Sequence, residues 1–488
     1  MVLIIGAGPV GIHTASLLLH EGYSVTIVEA GTFENESQLL SRDSYVFNSK
    51  SAMPKGAHRV GGGSNYWHAR FGEFNEEDFS NLENLGIPGW PFSKKSLLKF
   101  YKSVALEISG LGLSDDEFVD MHFAELLDVI PSDLDLKLFR FANNYSFINK
   151  LYTLQENSNL KVLTGLRVDS ISVSNNPNQP GFNCHATGID NSVNLYSNCV
   201  IVCAGTLQST RIILNSNLFE DPVTKNLVGL GLMEHLEGFV GTIRVKKKHG
   251  LNARRFKLTH NNRVEGLNAG VGIKLNSGVQ SRFDLPSMHL ELRPRPREIK
   301  SSRLILEGAF INPVHYLERI FKALCHFANE SLDLILDRRT FGIWVKCEEF
   351  RNIESKLKQS LKNDSGSLIY DHQISQLTFE KFYESLELLI PKAAEFFKGE
   401  ISLFGWVNRK EKRNSIGINW HPMGTLPMGT DANSSICDED LQVHNNKGLY
   451  LLSPAVFNRG SNGNPTFTTL ALASKLVEEI FKNQTRLR

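Results

Sequence analysis

The chain is poor in the features that would place it in several large classes. Six cysteines among 488 residues (Cys184, Cys199, Cys203, Cys325, Cys347 and Cys437) form no C-x-x-C pair and have no histidine at zinc-finger spacing, so they read as reduced thiols, with no disulfide framework and no metal centre. Basic excess is missing too: 53 Lys and Arg stand against 52 Asp and Glu, which argues against a nucleic-acid binder and against a substrate chosen by bulk charge. No apolar run approaches the roughly 18 residues of a membrane span. The first Lys or Arg is Arg42, so the apolar N-terminus lacks the positive start of a secretory signal. Internal repeats and low-complexity tracts are absent. These readings lead to the expectation of a soluble, cytoplasmic protein.

What is present is an ordinary globular composition, 41% hydrophobic and 22% charged. At about 150 residues per domain the length allows roughly three units. The apolar run Val2-Leu3-Ile4-Ile5 has the character of a central parallel strand buried on both faces. It enters Gly6-Ala7-Gly8-Pro9-Val10-Gly11, then a helical pattern to His20, then a second strand at 24–28 followed by Glu29. This is G-x-G-x-x-G between strand and helix, with an acidic residue about 20 positions on. The glycines serve a tight turn, close approach to a pyrophosphate and helix-to-strand packing, while Glu29 can accept hydrogen bonds from ribose hydroxyls. The segment predicts a dinucleotide site and leaves open whether FAD or NAD fills it.

Further along, strands and turns are expected over 157–198. Cys199-Val200-Ile201-Val202-Cys203-Ala204-Gly205 reads as a second buried strand ending in small residues, with a helix over 206–214. A second such turn so far from the first suggests a discontinuous domain. Helical periodicity marks 97–109, 316–338 and 379–399, the last expected to break at Pro391. The 316–338 helix mixes charge signs on its polar face and reads as a cover for a sheet. Lys246-Lys247-Lys248 and Arg293-Pro294-Arg295-Pro296-Arg297 read as solvated charge.

The densest pattern is C-terminal: Trp420-His421-Pro422-Met423-Gly424-Thr425-Leu426-Pro427-Met428-Gly429, then Gly463-Asn464-Pro465-Thr466. Asn464 has the character of an N-cap with Pro465 at the first helical position, opening a helix to 481.

With these segments quoted, the chain resembles the glucose-methanol-choline (GMC) family of flavin-dependent alcohol oxidoreductases. The His-Pro-x-Gly-Thr-x-x-Met-Gly and Asn-Pro-Thr segments are similar to the family's C-terminal signature. Val60-Gly61-Gly62-Gly63-Ser64-Asn65-Tyr66-Trp67 is similar to its loop over the flavin, Ala204-Gly205-Thr206-Leu207-Gln208-Ser209 to its Ala-Gly-x-x-x-Ser turn, and Val228-Gly229-Leu230-Gly231-Leu232-Met233-Glu234-His235 to its Val-Gly-x-x-Leu-x-x-His stretch. Within the family the details resemble the pyranose-oxidase-like sugar oxidases.

The resemblance implies an α/β fold with a discontinuous Rossmann-type FAD-binding domain (1–80, 157–235 and 415–488). Residues 81–156 and 236–414 would form a substrate-binding α+β domain with an antiparallel sheet. It implies FAD, held by Gly6, Gly8, Val10, Gly11, Glu29, Gly62, Ser64, Asn65, Trp67, Val168, Ala204, Gly205, Ser209, Pro465 and Thr466. Tyr66 stands where some relatives carry a covalently attached histidine, so the flavin is expected to be non-covalent. Ser453 stands where many members carry Asp, and His68 falls near the place of flavin N5. The implied reaction is oxidation of an alcohol, a secondary hydroxyl of a sugar or glycosylated small molecule. Its hydride goes to flavin N5, His421 is the base and Asn464 holds the same oxygen. The electron acceptor that re-oxidises the flavin, whether oxygen, a quinone or a protein, is left open. A redox-neutral flavin lyase or a non-catalytic FAD-binding module on the same fold are the alternatives. A nicotinamide-dependent reductase would need a second G-x-G-x-x-G unit.

Overall fold

Val2, Leu3, Ile4 and Ile5, none more than 3% exposed, form the central strand of a five-stranded sheet, and burial on both faces is why the run carries no alternation. Across the sheet the order is Leu449–Leu451, Cys199–Val202, Val2–Ile5, Val25–Glu29 and Leu160–Thr164, with every neighbouring pair parallel. Strands from the two ends and the middle of the chain are thus interleaved, as the paired Gly-rich turns suggested. The computed structural model describes residues 1–38, 45–47, 58–142, 144–176, 178–246, 263–294, 338–359, 368–410, 416–418 and 420–482.

Helices Pro9–His20, Gly205–Leu214 and Pro465–Leu476 begin beside the carboxyl ends of this sheet's strands. Such an edge is where open α/β sheets bind ligands. A small antiparallel sheet of Arg167–Val173, Phe182–Thr187 and Ser192–Ser197 matches the strands expected there.

The second large sheet is antiparallel. Its path runs Gly399–Leu403, His235–Lys246, Arg338–Glu348, Met288–Pro294, Leu267–Leu275, Leu134–Phe141 and Arg70–Phe71. Successive side chains alternate between its faces. Leu236, Ile243, Leu290, Leu292, Ile343, Val345 and Cys347 share one core with Phe382, Leu386, Leu389 and Ala393 of the helix Gln376–Phe397. The alternate positions His235, His289, Glu291, Lys346 and Glu348 are polar, yet none is more than 2% exposed. This polar face is covered by the C-terminal segment: Arg459 grips Glu348 through Nε to Oε1 at 2.9 Å and Nη2 to Oε2 at 2.6 Å.

Several expectations need correction. Gln376–Phe397 runs unbroken through Pro391. A proline there removes one i→i−4 bond, but Leu386, Leu389, Ile390, Ala393 and Phe396 on both sides of it are anchored in the same core, and that burial carries the helix across. Asn464 does occupy the N-cap of Pro465–Leu476, with Pro465 at the first position, but its side chain makes no cap bond because other partners hold it. The helix passes at Val477–Lys482 into a wider π turn. Residues 316–337 of the expected helix lie outside the described residues, as do Lys247, Lys248 and 295–297, while Arg338 opens a strand. Apart from these corrections, Phe100, Tyr101 and Val104 pack in the core of the parallel sheet, and Phe118, Val119, Leu134 and Leu138 in that of the antiparallel one.

Candidate active site

A cavity of about 510 Å³ opens at the carboxyl edge of the parallel sheet. Gly6, Gly8, Val10, Glu29, Gly62, Ser64, Trp67, Val168, Ala204, Gly205, Pro465 and Thr466 line it, together with His421. Four of the expected residues do not. Gly11 lies behind the turn, where a Cβ would come within 2.0 Å of the Gly6 carbonyl oxygen, so it serves the packing of helix on strand. Asn65 braces its loop, Nδ2 donating to the carbonyls of Val60 (3.0 Å) and Gly62 (2.8 Å). Ser209 is fully buried within Gly205–Leu214, and Asn464, the N-cap of Pro465–Leu476, stands outside the cavity lining. His68, expected near the flavin, is exposed and outside the cavity wall.

The cavity's shape depends on backbone left bare. Gly8 and Gly62 face one another, and a Cβ on Gly62, whose φ is +49°, would stand 2.9 Å from the Gly8 Cα. No side chain caps Pro9–His20 and no acidic residue sits in its first turn, so its N-terminal N–H groups and positive dipole end are kept for an anion. Glu29 does more than the sequence suggests. Its Oε2 accepts from Ala7 N at 2.8 Å and its Oε1 from Gly31 N at 3.0 Å, so the carboxylate that lines the cavity also ties the glycine turn to the second strand. Burial pushes its proton affinity up, while those backbone N–H groups oppose the shift. These features fit a dinucleotide pyrophosphate and ribose.

His421 is fixed from two sides by one short segment. Met233 and Met423 exchange both backbone hydrogen bonds at 3.0 Å, which lays 233–235 beside 421–423. Glu234 Oε2 then accepts from the His421 backbone N–H at 2.6 Å, and its Oε1 from the Tyr370 hydroxyl at 2.7 Å. Burial raises the Glu234 pKa to about 7. The preceding residue, Trp420, is held at φ +46°, a left-handed conformation that costs a bulky side chain energy and that this clamp helps maintain. The His421 ring lies against His235, Nδ1 to Nδ1 at 3.2 Å. Burial, Lys346 and Arg70, in that order, drive the proton affinity of His421 well below the ordinary histidine range, so the ring is neutral near neutral pH.

Asn464 reaches the same neighbourhood from the other side. Its Oδ1 accepts from Lys346 Nζ at 2.6 Å and its Nδ2 donates to the Arg70 carbonyl at 3.3 Å. Lys346 lies in register between Glu237 and His289 on the adjoining strands. Burial lowers its pKa to about 7, against the pull of Glu237 and with the push of Arg70. Around it, Glu291 pairs with Arg70 and with Arg293 (Nε 2.9 Å, Nη2 2.8 Å to Oε2) and meets His289 Nε2 at 2.8 Å. Arg70 stacks over Phe139 and Arg293 over Trp344. Sequence reasoning quoted Glu234 and His235 without giving them a task and passed over Lys346, Glu237, Glu291 and Arg70, since alternating polar and apolar residues in a strand ordinarily mean one solvated face.

Residues 374–473 match the family model for GMC oxidoreductase, in its C-terminal part. That stretch is similar to the C-terminal domain of the GMC oxidoreductases. Members of that family are FAD-dependent flavoproteins, and the glycine cradle, the uncapped helix and Glu29 fit FAD. Solved structures share the fold over 99% of this chain and of their own. They are pyridoxine 4-oxidase from Mesorbium loti (14% identity, TM-score 0.61), an FAD-dependent oxidoreductase from Chaetomium thermophilum crystallised with a small fragment (14%, 0.58) and a fungal aryl-alcohol oxidase (12%, 0.60). No curated protein matches the sequence. Among the described residues no helix is long and apolar enough to cross a membrane, and no group of three or more His, Cys, Asp or Glu is placed to hold a metal.

Proposed function

We propose that the protein oxidises an alcohol with FAD bound in the glycine-lined cavity, His421 acting as base and Asn464 as holder of the reacting oxygen. The observation that carries this is the position of His421: a neutral histidine, fixed at backbone and ring, in the wall of the dinucleotide cavity. An alcohol carbon gives up hydride readily only as its hydroxyl proton leaves, so a neutral imidazole at that oxygen lowers the barrier. FAD, when bound, supplies the two-electron acceptor for that hydride. His421 takes the proton. Asn464, its oxygen accepting from Lys346 Nζ, offers N–H to the substrate oxygen and so favours the alkoxide over the alcohol. The positive ends of Pro465–Leu476 and of Pro9–His20 favour negative charge in the cavity.

The finer reading is a non-covalent flavin and a hydroxyl-rich substrate, a sugar or glycoside oxidised at a secondary hydroxyl. Tyr66 supports the first, since a phenol whose oxygen donates to Glu36 at 2.9 Å replaces the histidine that would carry the link. Arg70 and Arg293, whose side chains stay 15% and 27% exposed beside buried Glu291, support the second as fixed donors for hydroxyl oxygens. Anaerobic addition of sugars, glycosides and simple alcohols to the yellow protein tests both function and substrate. Bleaching by a sugar is expected. No bleaching by any alcohol would remove the oxidation, and faster bleaching by simple primary alcohols than by every sugar would remove the substrate class. Acid precipitation should release the flavin, and yellow pellets would refute non-covalent binding.

A further inference from the structure

We infer that His235 is a positioning residue that fixes the tautomer of His421, leaving Nε2 of His421 as the nitrogen that accepts the substrate proton; this rests on the reading of His421 as base. The argument runs outward from a backbone carbonyl. His235 Nε2 lies 3.3 Å from the Gly460 carbonyl oxygen, which can only accept. Nε2 of His235 therefore carries the hydrogen. A neutral imidazole has one N–H, so Nδ1 of His235 presents a lone pair. Facing it at 3.2 Å is Nδ1 of His421, which must then be the donor. With its single hydrogen committed there, His421 keeps its lone pair on Nε2.

The reverse arrangement fails at a definite place. If His235 donated from Nδ1, its bare Nε2 would face the Gly460 oxygen lone pairs at a position with 0% exposure, where no solvent relieves the mismatch. A charged ring is excluded on separate grounds. Burial first, then the Lys346 ammonium, drives the proton affinity of His235 well below the ordinary range, and the same two causes act on His421. The consequence is chemical. An unrestrained imidazole prefers to carry its hydrogen on Nε2, so the relay from Gly460 through His235 reverses the intrinsic preference of His421. The neighbouring Glu234 holds the His421 backbone, so two consecutive residues fix the base, one at the main chain and one at the ring.

The test is the proton's location in the FAD-loaded protein. Long-range ¹⁵N spectra of histidine-labelled enzyme, with the His421 signals assigned by their loss in His421→Gln, should show the hydrogen on Nδ1. His235→Leu should move it toward Nε2 and slow anaerobic flavin reduction about tenfold, because the competent tautomer is no longer the favoured one. His235→Asn, whose amide oxygen can take the acceptor's place, should return the hydrogen to Nδ1 and most of the rate. A bare Nδ1 in the wild-type spectrum overturns the proposal even if His235→Leu fails to fold, and an unchanged His421 spectrum in His235→Leu overturns it as well. His421→Ala reducing its flavin at the wild-type rate would instead remove the base itself, a result separable from the spectroscopic one.

Discussion

The backbone wall of the cavity and the side-chain network behind His421 are built on opposite principles. The wall under the parallel sheet is mostly backbone: Gly6, Gly8, Gly62, Ala204 and Gly205 contribute almost no side chain, and what recognises the ligand is main-chain N–H and bare space. The polar network on the antiparallel sheet, which lies behind His421 and outside the cavity lining, is all side chain. His235, Lys346 and Glu291 come from three strands, each is at most 2% exposed, and each is held by a polar partner, His421, Asn464 and His289 respectively. A backbone site tolerates little added volume and much electrostatic change, whereas a buried polar network tolerates the reverse.

The largest effects are expected where that network meets the cavity, at His421. His421→Ala should slow flavin reduction by about 10² to 10⁴, the range for a positioned proton acceptor, with the flavin still bound. Stopped-flow reduction across pH measures it, and partial recovery at high pH is expected as the alcohol ionises unaided. A variant as fast as wild type would end the contrast, because the side chain that joins the network to the cavity would then not matter.

At the backbone wall the strongest test is volume alone. Gly62→Ala must accommodate a Cβ 2.9 Å from the Gly8 Cα at φ +49°, so the cleft should close on itself and the purified protein should emerge largely without flavin. Full flavin content by absorbance would show that the cradle is wider than its backbone suggests. Glu29→Ala acts differently, leaving Ala7 N and Gly31 N unpaired at a buried turn. Weaker retention by about 1.5 to 3 kcal/mol, one to two decades in Kd, is expected by titration of the apoprotein with FAD.

How much of this was legible in the sequence follows the same division. A backbone site announces itself, because only glycine and other small residues can stand where a φ of +105° at Gly6 or a 2.0 Å clash at Gly11 forbids a side chain. Those residues sit close together in the chain. The parallel sheet followed from the apolar run at Val2–Ile5 and the strand at Cys199–Val202, the antiparallel one only from the family resemblance, and Asn464 and His421 were singled out by their motifs. Lys346 was not. In Phe341, Ile343, Val345 and Cys347 alternating with Trp344, Lys346 and Glu348, the period of two is clear, but it does not say whether the polar face meets water or another part of the chain. Only Arg459, His421 and Asn464, brought from over 70 residues away, decide that. Pro391 misled for a related reason: a local rule was outweighed by core contacts made far along the chain.

The smallest effect expected is the one that joins the network's charges to its chemistry. Lys346 is a cause, after burial, of the lowered proton affinity of His421. The base must be neutral to accept a proton, so the rate falls on the acid side as pH drops through the pKa of His421. Below neutrality Lys346, with a pKa of about 7, is protonated, so its repulsion is fully present on that limb. Lys346→Met removes the charge, His421 then binds a proton more readily, and the acid limb of flavin reduction should move to higher pH by about one unit. Asn464 loses its anchor in the same variant, so the plateau rate should also fall. The two consequences separate in a pH profile, since lost anchoring lowers the plateau and lost charge moves the limb. A lowered plateau with an unmoved limb would mean that burial alone keeps His421 neutral and that Lys346 serves only to hold Asn464.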